Sequence, residues 1–213
     1  MFYTQIKGEL LILAAHVDDC TMTGSSGKLI TAYKSKLNDK FPLTDLGDIS
    51  WLLGIKVTHN QAAHTISLSQ SSYIDTILSC FSLCDAKSYP TPMVPSASYS
   101  KHNTPSSPSD VARMCKVPYR EAIRSLMYAA VATRPDIAFS VSVLSRFLEN
   151  PGEAHWEAVK RVFRYLTGTR DHVLTYRAGQ HDLIGYTDAD RASQEHHCTI
   201  SSYAFLIDGG AVS

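Results

Sequence analysis

With 213 residues, 44% hydrophobic and 19% charged, the chain has enough apolar surface for one large or two small cores, which excludes a disordered polymer. Its 20 Lys plus Arg balance its 20 Asp plus Glu, which excludes a uniformly basic nucleic-acid coat and leaves local patches open. There is no apolar run of about 18 residues and no charged-then-apolar leader, so neither a membrane span nor a secretory signal is expected.

In chain order, the first informative stretch is Leu10 to Ala15, an unbroken apolar run between Gly8 and the pair Asp18-Asp19. It reads as a strand buried on both faces, with Cys20 to Thr23 returning beside it and the two acids at the hairpin tip. Carboxylates about 4 Å apart repel by ~1 kcal/mol in water and by about 4 kcal/mol at an effective dielectric of about 20. A solvated polar turn is therefore one reading of the pair. A divalent-metal site is the other, since an acidic tip delivered by a core strand offers the hard oxygens that Mg²⁺ requires.

Ser26 to Phe41 comes next as a helix with Leu29, Ile30, Tyr33, Leu37 and Phe41 on one face, stopped by Pro42. Ile49 to Val57 reads as a strand, and Thr65 to Leu68 as its return. Gln70 to Phe81 has helical spacing through Tyr73, Ile74, Ile77, Leu78 and Phe81. Tyr89 to Ser109, rich in Pro, Ser and Thr, reads as a linker or surface crossing.

Three helical patterns lie beyond it. Tyr119 to Ala132 groups Ile123, Leu126, Met127 and Ala130, and Pro135 suits the first turn of a helix reaching Phe147 and Leu148. Glu153 to Thr167 carries the stripe Trp156, Val159, Phe163 and Leu166, with Gly168 as the C′ residue. Its other surface holds Lys160, Arg161 and Arg164, which is either a solvated face or a nucleic-acid contact. Val173 to Tyr176, Leu183 to Thr187 and Ile200 to Ile207 are short strands, the second leading into Asp188-Ala189-Asp190. The fold class is α/β in the mixed α+β sense.

The five cysteines, Cys20, Cys80, Cys84, Cys115 and Cys198, are odd in number and irregularly spaced, which fits a reduced intracellular compartment, cytoplasmic or nuclear. Cys80 and Cys84 lack a second ligand pair at zinc-like spacing, so buried or unpaired thiols are expected. His196, His197 and Cys198 read as a variable loop, because neighbouring strand residues face opposite sides.

The string His16-Val17-Asp18-Asp19 resembles the Tyr-x-Asp-Asp motif of reverse transcriptases, with His in the usual Tyr position. Asp45 to Asp48 and Trp51 to Ile55 resemble the segment immediately C-terminal to that motif in the polymerases of copia-type LTR retrotransposons. Further similar strings keep the same order: Tyr119 to Tyr128, Thr133 to Ile137, Pro151 to Trp156, Arg164 to Thr169, and Gly185 to Asp190. Arg191 departs from the pattern, standing where the family usually has an aromatic.

The resemblance implies a layout. Residues 1–60 would be the C-terminal part of a polymerase palm, 61–95 a thumb-like segment, 96–118 a linker, 119–177 a helical connection, and 178–213 the start of a truncated RNase H-like domain. Asp18 and Asp19 would bind the polymerase metals, Mg²⁺ or Mn²⁺, and Asp188 would be the first RNase H metal ligand. Trp51, Leu52, Leu53, Gly54 and Ile55 would touch the primer end, with an RNA/DNA template-primer duplex and dNTP as partners. The family's activity is RNA-directed DNA polymerase with RNase H. Its further carboxylates would lie upstream of this hairpin and beyond Ser213, so catalysis would need a complementing upstream polymerase segment. The alternative is a noncatalytic nucleic-acid-binding or structural module.

Overall fold

The computed structural model describes residues 1–95, 97, 99–100, 103–179, 182–190 and 200–212. It divides into two compact units, residues 1–49 and 50–213, and has the mixed α and β content that the periodicities predict. The His196-His197-Cys198 run lies outside the described residues. No helix among the described residues is long and apolar enough to cross a membrane.

The first unit is a three-stranded antiparallel sheet, β1 (Phe2–Ile6), β2 (Glu9–His16) and β3 (Asp19–Gly24), succeeded by helix α1 (Gly27–Asn38). Lys7 and Gly8, both at positive φ, make the two-residue β1–β2 turn. The central strand β2 is where the apolar run places it, but it is not buried on both faces. Leu11 is 3% exposed, whereas Leu10 is 40% exposed and Ala14 and Ala15 lie open. Register puts Leu11 with Gly24 and Leu13 with Met22 on one face, and this is the better covered face. A continuous apolar run signals a strand, but which faces are covered depends on what packs on the sheet; here a single 12-residue helix packs on β2 and β3.

That helix also ends earlier than expected, at Asn38, and leaves Phe41 59% exposed. Asn38 Oδ1 accepts a hydrogen bond from the Leu43 amide at 3.1 Å, and Lys34 pairs with Asp45 at 2.8 Å. These contacts fold the chain back before Pro42 can act as the stop.

The second unit opens with β4 (Trp51–Leu52), β5 (Ile55–Asn60) and β6 (Thr65–Ser69), antiparallel neighbours in a four-stranded sheet. The single strand expected over 49–57 is instead a tight hairpin. Leu53 at φ 50 and Gly54 at φ 77 reverse the chain, pairing Trp51 with Lys56 and Leu52 with Ile55. The fourth strand is β7 (Leu174–Arg177), which pairs with β6 so that Thr65 meets Arg177 and Leu68 meets Leu174. Between β6 and β7 run the helices α2 (Ser71–Cys80), α3 (Pro108–Met114), α4 (Tyr119–Ala132), α5 (Ala138–Ser145) and α6 (Glu153–Gly168).

Their shared core takes Ile74, Ile77 and Leu78 from α2, Ile123 and Leu126 from α4, Leu144 from α5, and Val159, Phe163 and Leu166 from α6. Each such side chain stabilises the fold by roughly 1.5–3 kcal/mol through burial. Met127, expected on the buried face of α4, is 43% exposed. The buried arc is centred on Ala122, Ile123, Leu126 and Ala129, because α4 packs against both α5 and α6.

The Pro-rich crossing is partly docked. Met93 and Tyr99 pack against the core, and the Tyr89 amide donates to the Arg164 carbonyl at 3.3 Å. At its end, Ser107 caps α3 by accepting from the Asp110 amide at 3.1 Å. Gly168 is not a left-handed C′ residue but the last residue of α6. A Cβ there would lie 2.9 Å from Ser88 Cβ, so the glycine is what lets the crossing approach the helix. Of the cysteines, Cys20, Cys80, Cys84 and Cys115 are free and exposed, so the unpaired reading holds for these and the buried one does not.

The unit closes with a three-stranded sheet ordered β10 (Gly210–Ala211), β9 (Ile200–Ile207), β8 (Ile184–Asp190). It is tied to β7 through the Arg177 amide donating to the Asp208 carbonyl at 2.9 Å and Tyr176 Oη donating to the Ala211 carbonyl at 2.7 Å.

Candidate functional site

The acidic tip is built by the β2–β3 register. His16 faces Asp19 as the last pair of the ladder, leaving Val17 and Asp18 as the two turn residues. Val17 takes φ 53, a conformation a β-branched residue avoids because its branched Cβ crowds the backbone. Strain of this kind costs of order 1–3 kcal/mol and persists only where surrounding structure enforces it, commonly at functional positions. Here the β2–β3 ladder enforces it. Val17, Asp18 and Asp19 are all exposed, so both carboxylates are accessible at the apex.

Two carboxylates with solvent access suit a cation that takes hard oxygens and keeps several of its waters. Among the described residues no group of three or more His, Cys, Asp or Glu converges on one point, so the tip offers a partial donor set.

The Trp51–Ile55 stretch forms the other hairpin. Trp51 is 52% exposed and Leu53 46% exposed, an apolar tip presented to solvent. Tyr128 of α4 latches it by donating from Oη to the Leu53 carbonyl, and is itself edge-on to Tyr73 with ring centroids 4.8 Å apart. Tyr73 Oη donates to the Ser125 carbonyl at 3.1 Å, fixing the pair on the helix. Sequence reasoning missed Tyr128 as a holder of this loop. The available signal was its place one residue beyond the buried arc of α4, with a polar tip able to reach a neighbour. Loss of that hydroxyl in Tyr128→Phe is expected to cost ~1 kcal/mol of local order. Amide exchange at Ile55 checks this, and an unchanged rate would remove Tyr128 from the role.

Asp188 lies on β8 opposite Ser202 and is exposed. It shares β8 with Asp190, and no group of three or more His, Cys, Asp or Glu gathers around it among the described residues.

The basic face of α6 is more engaged than a solvated stripe. Lys160 pairs with Glu157, Arg161 Nη2 donates to Thr91 Oγ1 at 2.8 Å, and Arg164 Nε donates to the Lys87 carbonyl at 2.6 Å. The Arg161 and Arg164 guanidinium carbons also lie 4.2 Å and 4.0 Å from the centre of the Tyr89 ring. Residues 87–91 thus form a strap across the face that the sequence leaves bare.

The Thr133 to Ile137 string also has a clear structural part. Arg134, 1% exposed, grips both oxygens of Asp136 at 3.0 and 2.7 Å and reaches the Thr169 carbonyl at 2.9 Å. Tyr165 Oη donates to Asp136 Oδ2 at 2.8 Å, so the α4–α5 corner is bound to the end of α6.

Comparison with known proteins adds direct findings. The family profile described as Reverse transcriptase (RNA-dependent DNA polymerase) matches residues 1–95. The chain is 41% identical over 208 residues to the Retrovirus-related Pol polyprotein from transposon TNT 1-94 of Nicotiana tabacum, covering 97% of this chain and 16% of that protein. It is 32% identical to the Pol polyprotein from transposon RE2 of Arabidopsis thaliana, covering 90% of this chain and 13% of that protein. The putative transposon Ty5-1 protein of Saccharomyces cerevisiae is 32% identical over all of this chain, which spans 68% of that relative. No solved structure matches at a significant level.

Proposed function

The chain belongs to the reverse transcriptase (RNA-dependent DNA polymerase) family as a segment of a copia-type retrotransposon Pol polyprotein, and from that premise we propose that its β2–β3 tip is half of a polymerase metal site. The observation that carries the proposal is the strained two-residue turn that raises Asp18 and Asp19 from a central strand. The family implies use of a divalent metal and a nucleic-acid template. Asp18 and Asp19 would hold Mg²⁺ or Mn²⁺ together with a carboxylate supplied from outside this segment. Such an ion, when bound, provides charge stabilisation on phosphoryl oxygens and activation of a hydroxyl nucleophile.

The protein's own part is positioning. The β2–β3 ladder sets Asp18 and Asp19 next to each other at the turn, and the Tyr128-latched hairpin presents Trp51 and Leu53 as an apolar surface for the primer end. Lys160, Arg161 and Arg164 are proposed to contact the nucleic-acid backbone. In support, Arg161 and Arg164 have no carboxylate partner among the described residues. Asp188 is proposed as the first RNase H ligand, on the resemblance of Gly185 to Asp190 alone.

Template-primer extension with Mg²⁺ or Mn²⁺ tests the reading. Residues 1–213 alone are expected to incorporate no nucleotide, and addition of the upstream polymerase segment is expected to restore incorporation. Template-dependent synthesis by residues 1–213 alone, abolished by Asp18→Asn, would show that no outside carboxylate is needed.

A further inference from the structure

We propose that the cleft between the strap and α6 is a pocket for a terminal phosphate of a nucleotide, which rests on the nucleic-acid reading of Lys160, Arg161 and Arg164 above and narrows it to one phosphate group. The cleft measures about 560 Å³, within the range of pockets that take one small molecule. Lys87, Lys160, Arg161 and Arg164 line it together with Tyr89 and Glu157. Glu157 is taken by Lys160. Lys87, Arg161 and Arg164 have no carboxylate partner among the described residues, so three cationic residues line the cleft without an internal counter-ion. Arg161 Nε is a buried donor with no hydrogen-bond partner among the described residues.

The two guanidiniums are positioned before any ligand arrives. Arg164 donates to the Lys87 carbonyl, Arg161 to Thr91, and both guanidiniums pack on the Tyr89 ring. The close passage of Ser88 over Gly168 holds the strap against the helix end. Fixed donors lose little freedom on binding, which favours a small charged ligand. A phosphomonoester carries about −1.5 to −2 charge near neutrality and three acceptor oxygens, against one charge on a phosphodiester link, so a terminal phosphate matches three unpaired cations better than a chain interior does. Leu83 and Val94 supply apolar wall for the attached sugar or base.

A free mononucleotide and the 5′-phosphorylated end of a single strand share this chemistry. Fluorescence anisotropy of the whole chain with a labelled single-stranded oligonucleotide, carrying either a 5′-phosphate or a 5′-hydroxyl, reads the difference. The phosphate is expected to tighten binding about tenfold, the effect of one added charge-assisted contact. Competition by a nucleoside monophosphate at similar concentration would identify a free nucleotide as the ligand, and its failure to compete would identify the chain end. Lys87→Gln is expected to erase the preference, and since the Lys87 side chain makes no hydrogen bond or ion pair among the described residues, its thermal midpoint should stay at the wild-type value. Equal affinity for the two oligonucleotides, or a preference that survives Lys87→Gln at an unchanged midpoint, would overturn the proposal. Primer extension is read on Asp18 and a duplex, whereas this preference is read on Lys87 and a terminal phosphate, so each proposal can fall alone.

Discussion

Asp18→Asn, introduced into a polymerase completed by the upstream segment, is expected to lower template-dependent incorporation by about three orders of magnitude, each tenfold being about 1.4 kcal/mol of transition-state stabilisation. The substitution keeps size and turn propensity while removing a full negative charge. Asn tolerates the backbone of a two-residue turn, so the β2–β3 ladder should remain intact. The loss is an anionic oxygen at the apex, where phosphoryl transfer needs a cation held in place; preorganised electrostatic contacts of this kind are each worth about 10²–10³ in rate. The effect should fall on kcat with little change in template-primer affinity, since neither Asp18 nor its turn is proposed to touch the duplex. Residual activity within tenfold of wild type would move the metal site away from this hairpin.

The elements that sequence makes legible are those whose signal is local. The β2–β3 hairpin is implied by an apolar run ending in two acids, and α6 by a stripe repeating at helical spacing. Covering of β2 is not local, because a strand's apolar run states that it can be buried and not how much will pack on it. The β6–β7 pairing joins Thr65 to Arg177 across the whole helical part, a contact no short window contains. The Leu53-Gly54 reversal was available in principle, since glycine at positive φ is a turn signal, but apolar residues on both sides hid it as a continuous strand.

The site was legible to the same extent. Asp18 and Asp19 stand at the hairpin tip that the apolar run and the paired acids imply, whereas Trp51 to Ile55, read as part of one strand, form a hairpin of their own. Their supports, Tyr128 for Leu53 and Tyr89 for the arginines, are distant in sequence and invisible to spacing. Arg161 and Arg164 illustrate the limit: helical periodicity assigns them to the outer face, and only the strap shows that this face is occupied.

The largest expected effect on stability comes from Asp136. Asp136→Ala would leave the Arg134 guanidinium buried with its charge uncompensated, which typically costs 3–5 kcal/mol, or a fall in thermal midpoint of about 10 °C for a unit of this size. Two further contacts raise the stake: Arg134 also donates to Thr169, and Tyr165 donates to Asp136, so the loss loosens the α4–α5 corner and the end of α6 together. The double variant Arg134→Met with Asp136→Leu is expected to lie closer to wild type than Asp136→Ala, because removing both charges removes the desolvation penalty with the attraction.

Acid provides an independent reading of the same pair. Burial pushes the Asp136 carboxyl up, but the hydrogen bonds and charge of Arg134 and the Tyr165 hydroxyl outweigh it and hold the group below its ordinary value. A carboxylate with a lowered folded-state pKa binds fewer protons folded than unfolded, so its contribution is full above the unfolded value of about 4 and declines as pH falls through the folded value. Urea unfolding should therefore show the gap between wild type and Asp136→Asn widest near pH 7 and narrowing below about pH 4. A gap that stays constant from neutrality into acid would mean that Asp136 acts through shape alone, and that the charge pair contributes nothing to holding the corner.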